Sequence, residues 1–250
     1  RILSSAASDV YKRQDIMGGE FSKIKTGFSG TLNIDLPEFN DKNKEFIDIN
    51  ESKKDNGSMY LAILGLFSDK KILYKFNKFE KKEMKIRKLT DFIIKGSYNS
   101  FIDSGAFLID FPVEEVIEYF KTNISTKKVF IYIDNNNEKK IIENGVESDY
   151  KNDVFDTNDL FIYYDNKHIV GTDIKQPSQL KGLASVSSYN KITDISQASF
   201  RLRQLNYGHT IDYIIDHEIK DTNDRIELFN FLLKNEDNSK LDINLSLIHI

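Results

Sequence analysis

The chain has 250 residues, a formal net charge of −4 and a hydrophobic fraction of 40%, with 18 Phe, 12 Tyr and no Cys. This composition can build a hydrophobic core and excludes a globally disordered chain, while the absence of cysteine excludes disulfides, thiolate zinc sites and a cysteine nucleophile. No apolar run approaches the roughly 18 residues that cross a bilayer, and the acidic balance argues against a broad nucleic-acid surface but leaves a local groove open.

Both ends of the chain resemble translated adapter sequence. They read RILSSAASDVYKRQ at 1–14 and LSLIHI at 245–250. A signal peptide is the competing interpretation of the first segment, but that segment lacks a continuous apolar stretch. We therefore interpret both ends as non-native tails of a fragment, expect them to make few contacts, and seek domains only within residues 15–244.

The first third of the native segment is irregular. EFSKIKTGF at 20–28 predicts a strand that ends in a glycine turn, and the polar stretch at 35–58 predicts a linker or long loop. SMYLAILGLFSD at 58–69 predicts an apolar helix. The Lys-rich stretch that follows, to about residue 90, is typical of a solvated helix face.

From residue 91 onward, strands alternate with helices. A short strand is expected within the polar excursion at 135–153. The main predicted strands lie at 100–108, 128–134, 159–165 and 209–216, and the predicted helices at 111–122, 193–206 and 222–235. This alternation predicts an α/β fold with a parallel sheet covered on both faces. We expect the strands at about 100–103, 129–133, 160–164 and 209–215 to be parallel neighbours.

The segment GTDIK follows one of these strands. In parallel sheets ligands bind outside the carboxyl ends of the strands, so Gly171, Thr172, Asp173 and Lys175 are candidate binding residues. Gly171 would allow a close turn, and the other three offer polar groups or a charge. The competing interpretation is an ordinary solvated turn.

The predicted helix at 193–206 carries two arginines. At helical spacing Gln197 and Arg201 share a polar face, while Arg203 projects from the opposite flank. One interpretation is a surface helix whose arginines meet solvent or carboxylates. The other makes Arg201 an arginine finger, because a guanidinium fork can neutralise charge that spreads over phosphate oxygens.

Three segments resemble, in order, motifs of superfamily-two helicase-like ATPases. GFSGT at 27–31 resembles the Ser/Thr-Gly-Thr motif that ends the first RecA-like domain, and GTDIK at 171–175 matches the same pentapeptide of the preprotein-translocase motor. QASFRLRQLNYG at 197–208 resembles the Gln-x-x-x-Arg helix that supplies arginine fingers. A family of very large eukaryotic proteins, some catalogued as ubiquitin thioesterases, is more similar still, with IDSGA here at 102–106 and Gly-His at 208–209.

The resemblance implies a three-layer RecA-like fold, the C-terminal half of a P-loop NTPase. Residues 15–34 would then end the first RecA-like domain, 35–90 would be linker and helices, and 91–244 the second RecA-like domain. The residues implied in nucleotide binding and coupling are Gly30, Thr31, Gly171, Thr172, Asp173, Lys175 and Gln197, and those implied in catalysis are Arg201 and Arg203.

The implied partner is a missing N-terminal RecA-like domain that holds ATP and Mg²⁺ in the intact parent. Whether the substrate is nucleic acid, polypeptide or a ubiquitin conjugate stays open. We expect no membrane partner and an intracellular, cytoplasmic location. His168, His209 and His217 lack the compact spacing of metal ligands, so no metal site is expected.

Two departures from the helicase pattern limit this interpretation. Where helicases place a second arginine, three residues after the first, this chain has Gln204, and its extra arginine is Arg203. The chain also has no phosphate loop and no Asp-Glu magnesium motif, so it should not hydrolyse ATP alone. The alternative is a degenerate RecA-like domain that serves as a scaffold or interaction module in a giant, ubiquitin-linked protein.

Overall fold

The computed structural model describes residues 67, 74–77, 79–170, 173–205, 208–220 and 222–248, with side chains described up to residue 239. The chain divides into two compact units, Arg1–Lys70 and Lys71–Ile250. All of the first unit except Phe67 lies outside the described residues, and so do the predictions for the N-terminal tail, the strand at 20–28, Gly30 and Thr31.

In the described part of the second unit, eight strands form one sheet in the order β1-β8-β7-β2-β6-β3-β4-β5. The strands are β1 Tyr74–Phe76, β2 Ser100–Ile102, β3 Val129–Ile133, β4 Lys139–Glu143, β5 Val146–Asp149, β6 Leu160–Tyr164, β7 Leu180–Val186 and β8 His209–Asp216. The first six strands in that order are parallel, and β4 and β5 add an antiparallel hairpin at one edge. The described helices are α1 Lys82–Gly96, α2 Val113–Asn123, α3 Ile192–Ser199 and α4 Arg225–Ile248.

The central strands and α2 form where the sequence pattern is clearest. VFIYI in β3 and LFIYY in β6 are continuous apolar runs, and every residue in them is buried, as expected for a strand covered on both faces. Pro112 precedes the first turn of α2 with a φ of −57°, and Glu114 and Glu115 in that turn complement the helix dipole. The predicted helix at 111–122 is confirmed.

Helices cover both faces of the sheet. One core joins α1 and α2 to the sheet through Ile86, Leu89, Val116, Phe120, Phe101, Phe130, Phe161 and Tyr163. On the other face α3 packs against β7 and α4, where the Ser199 hydroxyl lies 2.9 Å from the Tyr213 hydroxyl. The fold is therefore α/β with three layers and a mostly parallel sheet, as the alternation of elements predicted.

Two strands were missing from the sequence prediction. β7 lies between β2 and β8, so the segments at 100–103 and 209–215 are parallel members of one sheet but not adjacent. The sequence LKGLASV of β7 contains small residues and therefore does not show a clear strand pattern. One of them, Gly182, has no room for a side chain, because a Cβ there would lie 2.6 Å from Cδ1 of Leu202. β1 falls within the predicted linker and helices at 35–90, so the structural unit begins upstream of residue 91.

The predicted boundaries of three other elements were wrong. The helix expected at 193–206 ends at Ser199, because the Arg201 and Leu202 amides bond carbonyls three residues back, at 3.0 and 3.1 Å, in tightened turns. The excursion at 135–153 contains two strands, joined at Asn144 and Gly145 with φ of 50° and 83°, the positive values that a two-residue hairpin turn requires. The last helix spans Arg225–Ile248 instead of 222–235.

Candidate functional site

The loop after β6 and the segment after α3 lie together on the α3/α4 face, and Gln176 joins them. The Gln176 side-chain amide donates to the Arg201 carbonyl at 2.7 Å and to the Tyr164 hydroxyl at 3.1 Å. Its side-chain oxygen accepts the Arg203 backbone amide at 3.1 Å. One glutamine thus fixes the backbone at both arginines, and together Asp173, Gln176, Arg201 and Arg203 form what we term the arginine cluster.

Asp173 and Arg203 form an ion pair at the surface of the arginine cluster. Arg203 Nε lies 3.2 Å from Asp173 Oδ1, with side-chain exposures of 24% for the arginine and 74% for the aspartate. Arg203 Nη1 also donates to the Phe200 carbonyl at 3.4 Å. The guanidinium of Arg203 is therefore oriented from both sides while part of it stays open to solvent.

Arg201 lies deeper, with 3% of its surface exposed. Burial raises the pKa of Tyr164, and the positive charge of Arg201 and the hydrogen bond from Gln176 oppose that rise. The positive charges of Arg201 and Arg203 both favour negative charge at the Tyr164 hydroxyl. Because Arg201 follows the end of α3 in a turn, it does not share a helical face with Gln197 as the longer helix would require.

Gly208 and His209 hold the far end of the same loop. The His209 ring donates from Nε2 to the Pro177 carbonyl at 2.8 Å, and its Nδ1 accepts the Gln204 amide at 3.2 Å. Burial lowers the pKa of His209, which favours this neutral ring. Gly208 has a φ of 120°, and a Cβ there would lie 2.2 Å from the Ser178 carbonyl oxygen. The Gly-His pair therefore has a structural role in positioning the loop.

The other predicted site residues contribute less. Lys175 is exposed, and its carbonyl accepts the Tyr150 hydroxyl at 3.4 Å. Gln197 is half-buried on α3 and takes no part in the hydrogen bonds of the arginine cluster. Gly171 and Thr172, like Gly30 and Thr31, lie outside the described residues.

Sequence reasoning missed Gln176 and Tyr164. Gln176 stands directly after GTDIK, but a single glutamine in a loop has no pattern that predicts a bridging role. Tyr164 belongs to the apolar run of β6, which predicts only burial. Both residues act through contacts between segments distant in sequence.

The IDSGA strand end is a structural junction at the carboxyl edge of the sheet. Asp103 accepts the Phe107 and Leu108 amides, each at 2.8 Å, and the Ser185 hydroxyl at 2.7 Å. Burial raises the pKa of Asp103, and these three donors oppose the rise. Ser185 also accepts the Gly105 amide at 2.8 Å, so the motif ties the end of β2 to β7.

Comparisons with known proteins assign no family to the chain. No protein-family model, no curated protein and no solved structure matches it. Only the residues described above and their contacts therefore bear on its function. Among the described residues, no helix has the length and apolar character needed to span a membrane.

Proposed function

We propose that the unit is the second RecA-like half of a helicase- or translocase-type ATPase. The observation that carries this proposal is the bridge made by Gln176, which joins the described end of the GTDIK loop, residues 173–176, to the arginine segment through hydrogen bonds of 2.7 and 3.1 Å. These are the two segments that resemble nucleotide-contacting motifs of such motors. The three-layer α/β fold supports the proposal, because this class of motor is built on such a sheet.

The side chains of the arginine cluster suit contact with the terminal phosphate of a nucleotide. Arg203 pairs with an exposed carboxylate, Arg201 lies two residues before it in the sequence, and the sequence holds no phosphate loop. The missing N-terminal half would bind ATP and Mg²⁺, and an arginine of this half would neutralise charge that develops on the transferred phosphoryl group. Closure of the two halves on ATP, and their separation after hydrolysis, would produce the movement.

Arg201 is assigned as the finger because it occupies the Gln-x-x-x-Arg position. In the structure Arg201 is buried, whereas the Asp173–Arg203 pair is the exposed part of the arginine cluster. Closure on the partner half must then rearrange the GTDIK loop to present Arg201. Asp173 has the place and charge to hold Arg203 aside during that rearrangement.

The experiment is steady-state ATPase and nucleotide affinity of the intact parent, compared with Arg201→Ala and Arg203→Ala variants. If the unit belongs to a motor, Arg201→Ala should lower ATP turnover while nucleotide affinity stays nearly unchanged. A matched control is Arg87→Ala, since Arg87 is an exposed arginine of α1 outside the arginine cluster.

A second candidate function is a degenerate RecA-like scaffold or interaction module in a giant protein. The burial of Arg201 to 3% exposure favours it, because a guanidinium in that position is closed off from a nucleotide. The sequence upstream of residue 15 in the parent discriminates the two. A phosphate loop followed by an Asp-Glu pair supports the motor, and loss of that loop supports the scaffold.

A further inference from the structure

A pocket of about 110 Å³ lies on the opposite face of the sheet from the arginine cluster. It opens where β2, β3 and β6 end, with polar groups from Asp103, Asn135, Tyr163, Asp165 and Lys167. Its apolar wall leads into α2 and consists of Leu108, Ile109, Phe111, Pro112 and Val113. Tyr163 faces this pocket, whereas its neighbour Tyr164 faces the arginine cluster on the other side of the sheet.

Tyr163 gives the pocket a chemical function. Its ring stacks on Phe101 at 6.1 Å between centroids and meets Phe120 edge-on at 5.6 Å, and only 2% of the residue is exposed. Its hydroxyl makes no hydrogen bond within the described part of the chain. The small exposed part of Tyr163 lies at the pocket, so its hydroxyl can take a partner that enters there.

The charges around the pocket favour a cation. The carboxylates of Asp103 and Asp165 both line it, and after burial their charges are what raise the pKa of Tyr163. Glu114 stands at the rim, where its oxygens accept the Asn135 side-chain amide at 2.8 and 2.9 Å. Lys167 is the single cation among the lining residues and is exposed.

The lining of the pocket suits an organic cation. The described residues contain no group of three or more His, Cys, Asp or Glu that could hold a metal ion. Leu108, Phe111 and Val113 offer apolar surface beside the carboxylates, which suits a short alkyl stem. A cavity of about 150 Å³ accommodates benzene, so this smaller one has room for about four non-hydrogen atoms.

We propose that this pocket binds a primary alkylammonium group, carried by a small amine or by a lysine side chain. The ammonium donates to the Tyr163 hydroxyl oxygen and to Asp165, whose other oxygen is engaged by His168. The alkyl stem lies against residues 108–113. This site does not depend on the proposed ATPase function, because it uses other residues on the other face of the sheet.

The first test is titration of the 250-residue chain with n-butylammonium chloride, followed by calorimetry and by NMR shifts of residues 108–113. 1-Butanol and butyrate serve as neutral and anionic matches of the same size. Saturable binding of n-butylammonium, without binding of 1-butanol or butyrate, supports the site. Equal binding of 1-butanol, or tighter binding of butyrate, would overturn it, because the carboxylates would then not select charge.

Two tyrosine variants separate recognition from packing. Tyr163→Phe keeps the ring contacts and removes the hydroxyl, so binding should weaken by about tenfold, the value of one hydrogen bond to a charged group. Tyr132→Phe is the matched control, because the Tyr132 hydroxyl donates to Glu147 at 2.8 Å, away from the pocket. Tyr132→Phe should bind n-butylammonium as tightly as the unmutated chain does. Unchanged binding by Tyr163→Phe would contradict the proposal even if both variants fold.

The source of the ammonium group is decided with a second probe, lysine blocked as its N-acetyl amide. Binding of blocked lysine at least as tight as that of n-butylammonium identifies a polypeptide side chain, and preference for the simple amine identifies a small molecule. Lys167→Ala should tighten the binding of either probe several-fold, because it removes a positive charge from the rim of the pocket. If neither probe saturates the chain, the pocket is not an ammonium site.

Discussion

Asp173 and Arg203, thirty residues apart in sequence, form an ion pair whose Oδ1 and Nε lie 3.2 Å apart. The pair closes a loop whose interior is fixed by Gln176 and whose far end is fixed by His209. Three kinds of contact therefore hold residues 173–177 against residues 201–209: an exposed ion pair, a bridging amide and a buried neutral imidazole. They differ in how much they stabilise the chain and in how they respond to solution conditions.

The bridging amide should matter more than the ion pair. Gln176→Ala leaves the Arg201 carbonyl, the Arg203 amide and the Tyr164 hydroxyl without this partner, so we expect a loss of about 1–3 kcal/mol in the free energy of unfolding. Asp173→Ala should cost less than about 1 kcal/mol, because exposed pairs are screened by water. Urea unfolding of both variants measures the difference. An equal or larger effect from Asp173→Ala would contradict this ranking.

Gly182→Ala should destabilise the sheet. The added Cβ would lie 2.6 Å from Cδ1 of Leu202, a side chain with no exposed surface, so the neighbouring residues must shift. Overpacking of this kind costs about 1–3 kcal/mol. The same free-energy measurement on Leu202→Ala, alone and combined with Gly182→Ala, tests the contact. Leu202→Ala should cost less in the Gly182→Ala background, and strictly additive losses would show that the two residues do not compete for this space.

His209 should make stability depend on pH. Its folded pKa lies below the ordinary value because of burial, so the unfolded chain takes up a proton more readily than the folded chain. The stability that His209 contributes is therefore complete above about pH 6.5 and is lost as the pH falls below that value toward the lowered folded pKa. The measurement is the difference in unfolding free energy between the original chain and His209→Gln from about pH 8 to pH 5.

That difference should shrink as the pH falls. Asp103 has a raised pKa, which acts on stability in the opposite direction as the pH falls. Because Asp103 is present in both proteins, its contribution cancels in the difference between them. A difference that stays constant, or that grows toward acid, would show that His209 is not held neutral by the fold.

The sequence predicted those parts of the fold that have a local cause. β3 and β6 are apolar runs long enough to recognise, and α2 combines Pro112 with helical spacing. β7 was missed because its small residues are explained only by Leu202, which comes from a later segment. The helical spacing of Ile195, Ala198 and Leu202 likewise continues past the point where tertiary packing ends α3 at Ser199.

The same limit applies to the candidate site. The sequence favoured Arg201 for the phosphate-facing role and set Arg203 on the opposite flank, whereas the structure places Arg203 beside Asp173. Which arginine is exposed depends on the turn after Ser199, and no local pattern predicts that turn. Tyr163 and its pocket also had no signal, since a tyrosine within an apolar strand indicates only a buried ring.

The decisive prediction concerns the two arginines in an intact parent protein. Arg201→Ala should leave nucleotide affinity nearly unchanged and lower turnover by about 10³ to 10⁵, because an arginine finger acts mainly on charge that develops in the transition state. Arg203→Ala should lower turnover much less, because Asp173 already neutralises that guanidinium. Since Arg201 is 3% exposed, its variant also needs an unfolding measurement to separate catalysis from folding.

Arg201→Lys sharpens this test of the finger. Lysine keeps the positive charge but loses the planar fork that can bind two phosphate oxygens, so turnover should stay well below that of the original parent even when the variant is fully folded. A Lys variant with full activity would mean that Arg201 contributes charge and packing but no finger. A larger loss from Arg203→Ala than from Arg201→Ala would move the finger to the exposed arginine. Equal small losses from both would favour the scaffold, because a motor of this class cannot lose its finger without losing turnover.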